Sequence, residues 1–309
     1  MAARLIFMGT PQFAVASLRT CLELGEVVAV VTQPDKPRGR GQEVTFSPVK
    51  QLAVDRGLLV LQPAKIRGTD FAQQLKALAA EVAVVTAYGK ILPTDALEAP
   101  RLGCVNVHAS LLPRFRGAAP IQWAIAHGDT EAGVCLMKMD EGMDTGPVIA
   151  RAQLPILPDD TSATLHDKLS ALGGEVLREH LLAYLRGERF PVPQPTQGIV
   201  MAPMIKKEDG HLDFARPAIA LERRLRAFTP WPGAFLHFEG GLLKIHGMKV
   251  AAGQGAVGSV LRASPDGIEV GCGEGSVLLT SLQPEGKKPM TAQQFLNGRK
   301  VTVGEHPFS

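Results

Sequence analysis

Cysteine is scarce in this sequence. Four stand among 309 residues, at Cys21, Cys104, Cys135 and Cys272. None makes a C-x-x-C pair and their spacings fit no zinc site, so a structural zinc and a disulfide scaffold are both excluded. They read as reduced, mostly buried thiols of a cytosolic protein. Aromatic residues make up 5% of the chain, with two tryptophans and two tyrosines, which argues against a wide base-stacking platform. No apolar run reaches the roughly 18 residues that span a bilayer, so no membrane partner is expected. The opening residues Met1 to Arg4 lead straight into Leu5-Ile6-Phe7. That apolar region is too short for a signal peptide, and no basic amphipathic leader precedes it. A cytoplasmic location is expected. No internal repeat or low-complexity tract is visible.

Apolar residues are not scarce. The chain is 45% hydrophobic and 20% charged, enough to build cores and to exclude disorder for most of its length. The length suggests about two domains. Its 33 basic and 30 acidic residues leave a net charge of +3, which permits contact with nucleic acid without demanding it.

The first half alternates short apolar strands with amphipathic helices. Leu5 to Met8, Val27 to Val31, Leu58 to Leu61, Val82 to Val85 and Gly103 to Val107 read as strands. Helical stretches run from about Phe13 to Leu24, Pro48 to Arg56 and Asp70 to Leu78. Buried strands alternating with helices predict an α/β fold: a doubly wound, Rossmann-like parallel sheet over residues 1–189, with ligands at the carboxyl ends of its strands. Phe190-Pro191-Val192-Pro193-Gln194-Pro195 cannot hold a helix or a central strand, so residues 190–205 read as a linker. In residues 206–309 the texture changes. A helix near Ile219 to Phe228 precedes five glycine-punctuated strands, at 234–238, 242–250, 258–263, 267–271 and 276–282. They predict a small antiparallel β-barrel, OB-like in scale.

Two stretches could carry chemistry. Asn106 and His108 lie two apart on an extended segment, so both side chains point to one face. An asparagine amide can donate to an oxygen, and a histidine can move a proton near neutral pH. Spacing alone leaves strand-end hydrogen bonding open as the alternative. Asp144 lies in Met139-Asp140-Glu141-Gly142-Met143-Asp144-Thr145-Gly146-Pro147, a loop that would let a carboxylate orient a histidine. A turn residue bonding its own backbone is the alternative there. Cys104 sits on an apolar strand and reads as core.

Together these motifs resemble the formyltransferases that use 10-formyltetrahydrofolate. That family is marked by an Asn-x-His pair and a later Asp in a Gly-rich loop, matched by Asn106, His108 and Asp144. Within it the likeness is to the branch acting on charged initiator tRNA. It is carried by Phe7-Met8-Gly9-Thr10-Pro11-Gln12-Phe13-Ala14, by Gln33-Pro34-Asp35-Lys36-Pro37-Arg38-Gly39-Arg40-Gly41 with Ser47-Pro48-Val49-Lys50, and by Ser110 to Gln122. In the second domain Lys206-Lys207-Glu208-Asp209-Gly210 and Thr229-Pro230-Trp231-Pro232-Gly233-Ala234 carry it. The likeness covers essentially the whole chain.

The resemblance implies transfer of a formyl group from N10 of the folate to the α-amine of methionine on initiator methionyl-tRNA. A tetrahedral intermediate is expected, with no enzyme nucleophile and no metal. Asn106 would donate to the formyl oxygen. His108 would add a second donor while protonated, and Asp144 would hold it in that form. Folate would lie against Tyr88, Gly89, Ile91 and Leu92, against Ser110, Leu111, Leu112 and Pro113, and against Asp140 and Glu141. Ile91 and Leu92 are the expected apolar walls. The glycine-rich basic loop at about Thr32 to Phe46 would reach the tRNA acceptor end through Arg38 and Arg40. Arg114 and Arg116 would face the acceptor, and Lys206 and Lys207 the tRNA backbone. A monomer is expected. Three other readings stand beside this one. A sister enzyme could formylate a small amine such as an amino sugar or glycinamide ribonucleotide. An RNA binder could carry a degenerate catalytic domain. A dinucleotide oxidoreductase is the weakest, because Gly9-Thr10-Pro11 lacks the G-x-G-x-x-G fingerprint.

Overall fold

The computed structural model describes residues 2–35 and 45–309 in full, and the backbone of residues 37–38 and 43–44. Lys36 and Arg40 lie outside the described residues, as does the side chain of Arg38. The chain forms two compact units. One comprises Met1–Pro120, Glu131–Pro155 and His166–Ala202, the other Ile121–Thr130, Ile156–Leu165 and Pro203–Ser309.

The chain begins β1 (Ala3–Gly9), α1 (Phe13–Leu24), β2 (Gly25–Val31), β3 (Pro37–Arg38), β4 (Glu43–Val44), α2 (Pro48–Asp55) and β5 (Val60–Leu61). It continues α3 (Phe71–Ala77), β6 (Val82–Thr86), α4 (Thr94–Leu97), β7 (Cys104–His108), α5 (Pro120–His127), β8 (Glu131–Lys138), β9 (Val148–Pro155) and α6 (Ser162–Leu185). Seven strands make one sheet in the order β5-β2-β1-β6-β7-β8-β9. The five from β5 to β7 are parallel. Their apolar runs are buried, Leu5 to Met8 completely, as a sheet covered on both faces requires. Helix α1 buries Phe13, Ala14, Leu18 and Cys21. Helix α2 starts where Ser47 accepts from the Lys50 N–H at 3.2 Å and Pro48 takes the first turn, the residue types a helix start favours.

The five expected strands are the parallel ones, and two further strands outside that expectation extend the sheet. β8 runs antiparallel to β7, and β9 antiparallel to β8. An antiparallel pair can be joined by a short loop, without a crossover helix. The Gly-rich loop holding Asp144 is that β8–β9 connection.

The second unit adds α7 (Ala218–Ala227), β10 (Ala234–Phe238), β11 (Gly241–Ala251), β12 (Val260–Ser264), β13 (Gly267–Gly271), β14 (Ser276–Pro284), β15 (Met290–Thr291) and α8 (Ala292–Asn297). Its antiparallel sheet runs β10-β11-β14-β13-β12, with β15 on β14. Leu236, Ile245, Val270, Leu279 and Phe295 form its core. Residues 304–309 meet both outer strands. Ser309 exchanges two hydrogen bonds with His237 of β10, while Gly304 and Glu305 bond Val260 of β12. So short a segment can reach both edges only because the sheet curls round. The edges are thereby covered, as in a barrel.

Candidate active site

Strand β7 presents Asn106 and His108 on one face, and the β8–β9 loop folds back over it. Asn106 Nδ2 donates to Asp144 Oδ1 at 3.4 Å. His108 Nδ1 lies 3.6 Å from the same oxygen. Its Nε2 is 3.0 Å from the carbonyl oxygen of Phe115. A carbonyl only accepts, so Nε2 carries the hydrogen of that bond. Both ring nitrogens therefore face acceptors. The other carboxylate oxygen, Oδ2, accepts from the Gly117 N–H at 2.8 Å. His108 is buried and Asn106 and Asp144 are half-buried, which strengthens each electrostatic contact relative to open water.

The backbone around Asp144 is tightly specified. Asp144 stands at φ 53°, a left-handed conformation that aspartate adopts more readily than most residues. A Cβ at Gly146 would sit 1.9 Å from the Lys138 carbonyl oxygen, so only glycine fits there. Gln194 holds the turn from outside. Its Nε2 donates to the carbonyls of Asp144 at 2.8 Å and Gly146 at 2.7 Å. Its Oε1 accepts from Arg116 Nε and Nη2 at 3.1 and 2.8 Å.

Two loops frame the triad. Residues 87–93 follow β6, with Ala87 at φ 47° and Gly89 at φ 79°. Residues 139–147 follow β8, and Thr94 donates to Glu141 to tie the two together. Asp140 Oδ1 accepts from the Gly142 N–H at 3.1 Å and from Thr145 Oγ1 at 2.7 Å. Ile91 is 75% exposed, whereas Leu92 and Tyr88 are enclosed in the core. Leu92 thus packs inside instead of forming the expected apolar wall, and Ile91 alone faces solvent. Tyr88 offers the site backbone. Its carbonyl accepts from Gln33 Nε2 at 3.1 Å, and burial pushes its phenol up to about 12. Leu112 is likewise core, and Ser110 Oγ is spent on the Arg114 carbonyl at 2.7 Å. Leu111 and Pro113 are half-buried beside them. The two loops thus present exposed apolar surface at Ile91, backbone groups at two left-handed positions and carboxylates at 140 and 141.

The sequence profile described as Formyl transferase matches residues 3–181, and that described as Formyl transferase, C-terminal domain, matches residues 204–300. The chain belongs to the formyl transferase family. A methionyl-tRNA formyltransferase of Myxococcus xanthus is 65% identical over 305 residues, covering 99% of this chain and 98% of the relative. One of Citrifermentans bemidjiense is 48% identical, covering 97% and 95%. Among solved structures, an N-formyltransferase of Helicobacter canadensis in complex with folinic acid and dTDP-3-aminofucose superposes with a TM-score of 0.68 at 17% identity, covering 91% of this chain and 99% of that one. HypX of Aquifex aeolicus with tetrahydrofolic acid superposes at 0.61 and 17% identity, covering 99% of this chain and 51% of its own. At these identities the structural matches speak for the fold.

The basic residues fall in different places. The Arg114 guanidinium lies 4.7 Å from the Phe115 ring centroid. Arg116 gives two of its N–H groups, at Nε and Nη2, to Gln194. In the second unit Lys206 and Lys207 are exposed at the start of a 3-10 turn. Among the described residues no cluster of three or more metal-ligating side chains occurs, and no helix is long and apolar enough to cross a membrane. Sequence reasoning missed Gln194. It sits in a proline-rich stretch whose composition signals only a connection.

Proposed function

We infer that this chain transfers a formyl group from 10-formyltetrahydrofolate to the α-amine of methionine carried on initiator tRNA. The observation that carries the reading is the convergence of Asn106, His108 and Asp144 on one face of β7 in a chain of this family. In the transfer, the amine nitrogen bonds to the formyl carbon and the bond to folate N10 breaks. One proton passes, net, from the attacking to the leaving nitrogen. Asn106 donates to the formyl oxygen as negative charge develops there. One such preorganised donor is commonly worth about 2.7–4 kcal/mol. His108 moves protons beside Asp144, and its Nε2 leaves the Phe115 carbonyl when it turns to the reacting atoms. General acid–base help of this kind adds about 100- to 10,000-fold. Ile91, Gly89 and the 140–141 carboxylates hold the folate. Arg38, Arg40, Arg114, Lys206 and Lys207 meet the tRNA. Translation initiation sets this work in the cytoplasm.

The test is formylation of methionine-charged initiator tRNA by the pure protein with 10-formyltetrahydrofolate. Parallel reactions hold free methionine, an amino sugar or the Asn106→Ala variant. Formylmethionine only with charged tRNA, lost in a variant that stays folded, is the expected result. Turnover with a small amine alone would move the acceptor assignment to the sister class.

A further inference from the structure

We propose that Gln194 is a positioning residue for formyl transfer, setting the Asp144 carboxylate through the backbone of the turn that carries it. Between Val192 and Ile199 every residue is exposed except Gln194, which is half-buried. Its amide uses both faces. The NH2 end spans two carbonyls of one turn, those of Asp144 and Gly146. The oxygen end takes two N–H groups of Arg116. Arg116 directly precedes Gly117, whose N–H holds Asp144 Oδ2. One side chain thus couples the two loops that converge on Asp144.

The flanking chain makes this a built strap. Val192 exchanges paired backbone hydrogen bonds with Val148, just after the Asp144 turn. Further on, Arg116 N donates to Val200 O at 3.0 Å and Ala202 N to Arg116 O at 2.7 Å. Residues 192–202 therefore grip the first unit on both sides of the site. Gln194 is the point where the grip reaches a catalytic backbone. A shift of about 1 Å in a catalytic group can cost about 100-fold in rate.

The chemistry of the amide is specific. Glutamate has the same shape and still accepts from Arg116, but its carboxylate cannot donate to the two carbonyls. The proposal rests on the formyl-transfer reading, so wild-type formylation is measured first, and its absence would count against that reading. Gln194→Glu and Gln194→Ala are then compared with Gln197→Ala, a substitution at an exposed neighbour. The expected result is a kcat about 10-fold or more below wild type, with KM for folate and tRNA within about 3-fold and thermal stability little changed. Gln197→Ala should match wild type. Because Gln194 acts through Asp144, adding Gln194→Glu to an Asp144→Asn enzyme should cost less than about 3-fold more. An equal loss in both backgrounds would overturn the assignment. So would a kcat within about 2-fold of wild type, or a loss matched by the fraction unfolded.

Discussion

Gly117 donates its backbone N–H to Oδ2 of Asp144 at 2.8 Å, and any side chain in its place would be strained. Its φ is 121°, and a Cβ there would lie 2.6 Å from the Ala202 carbonyl oxygen. Alanine at 117 must therefore push the 200–202 strap away or rotate the peptide that bonds Asp144. Such a strained position costs about 1–3 kcal/mol. Gly117→Ala should lower the melting temperature by several degrees and, in the fraction that remains folded, reduce kcat about 100-fold. Thermal unfolding and steady-state formylation check this. Normal kcat in a folded variant would show that the Gly117 bond does not position the carboxylate.

Much of this arrangement could be read from the sequence, and the parts that could not share a cause. The apolar, two-residue alternation around Asn106 and His108 is enough by itself to put both on one face. Residues 234–238 and 267–271 were legible as strands because short alternating runs bounded by glycine or proline have few other uses. Strands β8 and β9 were not read from the sequence, and their sense could not have been. Apolar periodicity reports a strand but not its sense, which the connections decide. Leu92 looked like a pocket wall because an apolar residue beside a site and one in the core have the same local signature. Gln194 was silent for a different reason. The partners of its NH2 are main-chain carbonyls about 50 residues away in sequence, and a backbone contact leaves no mark on the composition of its partner.

The base of the basic loop offers a test by pH. Asp35 pairs with Lys50 and accepts from Gln62 Nε2 at 3.0 Å. The Lys50 hydrogen bond, more than any other influence, holds the Asp35 carboxyl below its ordinary value. A group depressed on folding contributes stability that is present above its unfolded pKa, about 3.9 for Asp. That contribution disappears as pH falls through the lower folded value. The melting temperature of wild type should therefore exceed that of Asp35→Asn by a constant margin from about pH 5 to 8. The margin should close below about pH 4. A gap that persists unchanged into strong acid would show that packing, not the ion pair, sets the difference.

Beyond Asp35 the same loop carries Lys36, Arg38 and Arg40 before its next acid, Glu43. Positive charge on a loop rooted by an ion pair suits the dense phosphates of a polyanionic acceptor more than the few carboxylates of a formyl donor. Removing one cation that neutralises a phosphate should flatten the slope of log affinity against log salt by about 0.7–0.9. Replacing Arg38 and Arg40 with alanine should raise KM for charged tRNA about 10-fold at moderate salt and flatten its salt dependence by the equivalent of about one to two phosphates. KM for 10-formyltetrahydrofolate should stay within about 2-fold, because uniform binding of the other substrate is untouched. Formylation kinetics at several salt concentrations read both quantities. Parallel rises in the two KM values would remove the loop from the tRNA interface and return it to the folate site.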